Sequence, residues 1–133
     1  LIKKDGKVVD AAGRSLDSNI KPKWWRYGKS GYPFICGNES VGVILEDCAS
    51  ACSVSHAFTG LALLGTNLVS SYLDTIRQFE KVIVALDKDA TGVALGIVKQ
   101  LKPHVDVGMV LLEKDVKDMT EDERKRTFSK YIP

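Results

Sequence analysis

A chain of 133 residues, 44% hydrophobic and 27% charged, has the size and composition of one globular domain with its own core. It contains no apolar stretch of membrane length and none patterned as a signal peptide, and its three cysteines, without a C-x-x-C pair, exclude a zinc ribbon and a disulfide framework. The net charge of +2 is unevenly divided: residues 1–40 hold eight Lys/Arg against four Asp/Glu, and residues 41–133 hold 11 against 13, so that a basic arm adjoins an acidic unit, as suits a polyanionic partner.

The chain opens Leu1-Ile2-Lys3-Lys4 without an initiator Met and is expected to be a piece of a longer protein. Residues 1–40 read as an irregular, basic α+β segment. Lys4-Asp5-Gly6-Lys7 reads as a hairpin turn, with a strand over about 7–12. Residues 13–17 continue in extended or turning form, and Pro22 biases Lys21 away from helix. Trp24, Trp25, Tyr27, Tyr32 and Phe34, interleaved with Lys23, Arg26 and Lys29, can stack bases and hold phosphates. For the tryptophans, packing onto the core is the favoured reading.

From residue 41 strands and helices alternate. A strand is predicted over 41–45, then a helix of small residues over 48–57 that can lie close to a sheet, then a short strand over 61–64. Leu68, Val69, Tyr72, Leu73, Ile76 and Phe79 recur at helical spacing behind a Thr66 or Asn67 cap. A third strand follows over 82–86, a helix from Val93 to before Pro103, and a fourth strand over 105–112. Thr120-Glu121-Asp122-Glu123 is a capping box opening a last helix to about Lys130. The predicted class is α/β: a parallel sheet of about four strands flanked by helices over 41–133, preceded by the segment 1–40.

Three of the predicted strands end in carboxylates. Glu46 closes the first, Asp87 and Asp89 follow the third, and Glu113, Asp115 and Asp118 follow the fourth. Ligands of open α/β sheets bind outside the carboxyl ends of the strands. Carboxylates converging there raise one another's pKa, and a hard cation such as Mg²⁺ relieves them. Asp87 and Asp89, two apart in an extended chain, can reach one ion. Asp89 could instead cap the next helix, and the acids could form a solvated rim without a metal. The metal site is the favoured reading. A phosphate-binding Gly-x-x-x-x-Gly-Lys-Ser/Thr loop and a Gly-x-Ser-x-Gly elbow are both absent from the sequence. His56 and His104 read as packing or surface histidines. Cys48, Cys52 and His56 recur every fourth residue, but on a helix the outer two stand about 12 Å apart, so small buried thiols are the favoured reading. Reduced thiols suit a cytosolic location.

Glu46 after one strand, Asp87-Lys88-Asp89-Ala90-Thr91-Gly92 after another and Lys114-Asp115-Val116-Lys117-Asp118 after a third resemble the Toprim domain, shared by bacterial-type primases, topoisomerases and some nucleases. The resemblance spans residues 41–118. Asp5-Gly6-Lys7-Val8-Val9, Gly13-Arg14-Ser15-Leu16-Asp17 and Lys21-Pro22-Lys23-Trp24 resemble the segment that precedes Toprim in bacterial and phage primases. Three departures are visible: Asp47 where the family usually has Gly, Ser50 where many members have an acid, and Thr91 ahead of Gly92. Asp47 either adds charge to the pocket or faces away, and the pattern is nearer a viral or phage branch.

The resemblance implies a DNA primase that synthesises RNA primers on single-stranded DNA from ribonucleoside triphosphates, beside a replicative helicase, fused or separate, in the cytoplasm (the host's if phage-encoded) and away from membranes. It implies Asp87, Asp89, Asp115 and Asp118 as ligands of Mg²⁺, or of Mn²⁺ in its place. It implies Glu46 as ligand or proton acceptor, and Arg14, Lys23 and Lys29 as groups that hold template or triphosphate. Two alternatives share the carboxylates: a Toprim-family metal-dependent nuclease, and a non-catalytic nucleic-acid-binding module.

Overall fold

The computed structural model describes residues 1–4, 7–14, 16, 24–26, 33–63 and 72–129. β1 (Ile2–Lys4) and β2 (Lys7–Asp10) pair antiparallel about the predicted turn, whose Asp5 and Gly6 lie outside the described residues. The single strand expected over 7–12 is divided into β2 and β3 (Ala12–Arg14), and β3 pairs antiparallel with β4 (Trp24–Arg26). All regular structure among the described residues of this segment is strand.

The remaining elements are β5 (Phe34–Cys36), β6 (Val41–Leu45), α1 (Cys48–Ser53), β7 (Thr59–Ala62), α2 (Leu73–Ile76), β8 (Lys81–Asp87), α3 (Thr91–Leu101), β9 (Asp106–Leu112) and α4 (Glu121–Thr127). Short 3-10 turns, Lys88–Ala90 and Val116–Asp118, follow β8 and precede α4. One sheet of five strands runs β5-β7-β6-β8-β9, with β7, β6, β8 and β9 parallel and β5 antiparallel at the edge. The α/β class and the parallel sheet are therefore as predicted. The fifth strand is an addition to the prediction, because three residues amid aromatics and turns carry no periodic signal.

The side chains of the two central strands alternate between two cores. Ile44, Val82, Val84 and Leu86 pack with Tyr72, Ile76, Ala94, Ile97 and Leu101 beneath α2 and α3. Val43, Leu45, Ile83 and Ala85 pack on the other face with Val54, Phe58, Val116 and Phe128. Both faces of β6 and β8 are covered, which is why their sequences read as unbroken apolar runs. Phe58 and Phe128 meet at 5.5 Å between ring centroids, tying the end of α1 to the end of α4.

α1 is shorter than the expected 48–57. The Ser53 hydroxyl donates to the Ser50 carbonyl and the Ser55 hydroxyl to that of Cys52, and the chain turns at Val54 to bring Phe58 inward. The small-residue helix does lie close to the sheet: a Cβ on Gly60 would fall on the backbone of Ala51. Gly37, at φ 113°, makes the turn out of β5, where a Cβ would stand 2.7 Å from the Phe58 carbonyl oxygen. β7 begins two residues before the predicted 61–64 because Thr59 pairs with Gly42. Of the predicted helix around 68–79, α2 is described, and residues 64–71 lie outside the described residues. Among the described residues no helix is long and apolar enough to cross a membrane.

The chain leaves β6 for β7 on one side and then places β8 and β9 on the other. The strand order therefore reverses between β6 and β8. The crevice at the carboxyl ends of those two strands is where doubly wound sheets bind their ligands.

Candidate functional site

Asp87 ends β8, half-buried, after five fully buried residues. Asp47 follows β6 by the same count: Ile44 is paired with Val84, and Asp47 and Asp87 lie three residues beyond them. Asp115 comes down from β9 just before the turn Val116–Asp118, which the wholly buried Val116 anchors in the core. The Arg124 guanidinium fixes that turn by donating to the carbonyls of Val116 (3.1 Å) and Met119 (2.9 Å).

These placements give the site its electrostatics. Burial raises the Asp87 pKa, and the neighbouring Asp115 carboxylate, then the charges of Asp89 and Asp47, raise it further. Asp47 has the opposite balance. Burial pushes it up, but the Ser50 amide and the Lys117 ammonium outweigh this and hold it below the usual carboxylate range. Its Oδ1 accepts from the Ser50 N–H at 2.8 Å and caps α1, while its Oδ2 faces Lys117 Nζ at 3.3 Å. The same ammonium lies 3.8 Å from Asp115 Oδ2.

The structure thus brings Asp87, Asp89 and Asp115 together. Asp47 faces the cluster, which resolves the alternative left by the sequence. Asp89 does not cap the following helix: α3 begins behind Ala90 with no side-chain cap bond. Glu46 is exposed at the carboxyl end of β6, on the same sheet edge. Asp118 is exposed, its amide donates to the Asp115 carbonyl at 3.0 Å, and no hydrogen bond or ion pair ties its side chain to the cluster among the described residues. Arg14 is placed by its backbone on β3, opposite Trp24, while Lys23 and Lys29 lie outside the described residues. Lys117 is a site residue that the sequence does not single out. The run Lys114-Asp115-Val116-Lys117-Asp118 reads there as an acidic group, and nothing local says that its second lysine reaches back 70 residues to Asp47.

The thiols need one correction. Cys52 is exposed and Cys48 half-buried, because α1 turns this edge outward past Ala51; both are free thiols, as is Cys36. Burial and the neighbouring thiols Cys36 and Cys48 raise Cys52 to about 11.

Among the described residues no three His, Cys, Asp or Glu side chains converge to hold a metal ion. Mg²⁺ at phosphate sites does not require such a cage: it keeps several waters and takes one or two carboxylates together with substrate oxygens. Asp87 and Asp115, hard oxygen donors of which only Asp115 has a cation beside it, Lys117 at 3.8 Å, fit that mode of binding. No family model matches this chain, and neither does a curated protein or a solved structure.

Proposed function

We propose that this chain is the catalytic part of a phage-type DNA primase, a Toprim-like nucleotidyl transferase that builds RNA primers on single-stranded DNA. The observation that carries the reading is the Asp87–Asp115 carboxyl pair at the crevice where the strand order reverses, with Asp47 and Asp89 adding charge to it. The motif resemblance and the basic first 40 residues favour primer synthesis over cleavage.

In this reading Asp87 and Asp115 bind Mg²⁺ or Mn²⁺, and Asp89 adds a ligand directly or through water. A cation held there would supply neutralising charge to the triphosphate oxygens and would lower the pKa of the attacking hydroxyl. The primer 3′-hydroxyl attacks the α-phosphorus of a ribonucleoside triphosphate and pyrophosphate leaves. Glu46, at the mouth of the crevice, takes the hydroxyl proton or adds a ligand. Asp118, exposed and outside the cluster, serves at most through water. Arg14, Lys23 and Lys29 hold template or triphosphate. The protein works in the cytoplasm, the host's if phage-encoded, beside a replicative helicase, fused or separate.

The test is primer synthesis on single-stranded DNA with labelled ribonucleotides and Mg²⁺ or Mn²⁺, run beside Asp87→Ala/Asp89→Ala. Short labelled products that vanish in the variant are expected. Metal-dependent cutting of the template without synthesis would transfer the reading to the nuclease. Neither activity would leave the binding module.

A further inference from the structure

A cavity of about 150 Å³ opens between the turn that leaves α1 and the last turn of α4. Val54, Phe58 and Phe128, each almost wholly buried, line it, and its wall is nearly all carbon. Ala57 contributes only a methyl group to that wall, which leaves the space open. A cavity of this size lined by aliphatic and aromatic side chains takes a benzene ring.

The remaining residues of the wall, His56, Arg124 and Lys125, are all basic. Lys125 is exposed and already has Glu121 one turn back at 3.4 Å, a solvated pair of little strength. Arg124 is in a different position. It is half-buried, and its Nη1 donates to the carbonyls of Val116 and Met119, which are neutral acceptors. The adjacent Glu123 is taken by Lys114 at 2.6 Å, and no carboxylate is ion-paired with Arg124 among the described residues. The Arg124 Nε–H is also buried without an acceptor among the described residues. Folded proteins normally pair a cation withdrawn from water in this way, so Arg124 is short of an anion. An apolar cavity with a few polar groups to fix orientation is the common form of a small-molecule site.

We propose that this cavity binds a small aromatic carboxylate, with its ring against Phe58 and Phe128 and its carboxylate at the mouth between Arg124 and Lys125. The ring gains the apolar contact that the cavity offers, and the carboxylate brings the counter-charge that the fold does not give Arg124. An amine on the same ring would set a further cation beside Arg124, and a carboxylate without a ring would leave the apolar wall empty. The site lies apart from the strand-end carboxylates and does not depend on the function proposed for them.

The test is a titration of the full chain with phenylacetate, followed by backbone amide NMR of isotope-labelled protein, beside parallel titrations with phenethylamine and acetate. Saturable shifts at millimolar phenylacetate are expected, centred on the amides of residues 54–58 and 124–128. Phenethylamine is expected to bind several-fold more weakly, and acetate not to shift these amides. Ala57→Leu fills the cavity and is expected to abolish binding. Lys125→Glu, at an exposed position that leaves the core untouched, is expected to weaken it several-fold, with folding of both variants checked by circular dichroism. No saturable shift in the wild type, shifts centred elsewhere, or phenethylamine binding as tightly as phenylacetate would overturn the proposal. So would a folded Ala57→Leu or Lys125→Glu protein that binds phenylacetate with wild-type affinity.

Discussion

At the scale of single residues, the site is a contrast between two aspartates. Asp87 and Asp47 stand at the same level of adjacent strands, yet their pKa values are displaced in opposite directions from 3.8. Asp47 has an amide and an ammonium to answer it. Asp87 has burial, Asp115, Asp89 and Asp47 against it. The consequence for stability follows from proton linkage. A carboxyl whose folded pKa is raised holds its proton more tightly in the native state, so the metal-free protein loses stability as pH rises from about 3.8 through the higher folded value. Asp47 gives the reverse: its stabilisation is present above 3.8 and disappears as pH falls through its lower folded value. Asp87→Asn therefore raises the metal-free melting temperature at pH 7 and has little effect near pH 3. Thermal unfolding in chelator across that range checks it; an Asn variant less stable than wild type at pH 7 would contradict the assignment.

At the scale of elements, the site depends on α1 lying against β7, since α1 carries Asp47 at its first turn. That approach is set by Gly60, whose missing Cβ leaves room for the Ala51 backbone. Gly60→Ala is expected to cost about 3 kcal/mol, the upper end for overpacking, because the obstruction is main chain and cannot change rotamer. Denaturant unfolding measures this, and a cost below about 0.5 kcal/mol, the range of surface changes, would mean that α1 is not fixed here. At the other end of the same face, the capping box of α4 forms as its sequence specifies. The Thr120 hydroxyl accepts from the Glu123 amide, and Glu123 accepts from the Thr120 amide. The contact with Lys114 and then the Thr120 amide hold the Glu123 carboxyl down to about 2, so this cap remains closed well into acid. Such local patterns are legible in the sequence, because capping and alternation are written within a few neighbouring residues. The shortened α1 is not, since its end is decided by serine hydroxyls and by the distant Phe128.

At the scale of the whole molecule, the legible part is the alternation from Val41 onward, whose strand ends alone put Glu46, Asp87 and Asp115 on one sheet edge. Two things escape that pattern. β5 joins the sheet from before residue 41, through pairing with β7 that no short-range pattern announces. Lys117 meets Asp47 only because β6, β8 and β9 align in parallel and the turn after β9 folds back over α1. Among the described residues the crevice between β6 and β8 then brings Asp47, Asp87, Asp89 and Asp115 together with Lys117. In the proposed function this crevice binds a divalent cation through Asp87 and Asp115. The most direct measurement is the melting temperature against Mg²⁺ concentration at pH 7 and constant ionic strength, for wild type and Asp87→Asn. A ligand that binds only the native state raises its stability by RT ln(1 + [L]/Kd). The melting temperature is expected to climb with Mg²⁺ in the wild type and to stay level in Asp87→Asn, although the variant starts higher. Equal climbs in the two proteins, or none in the wild type, would contradict it.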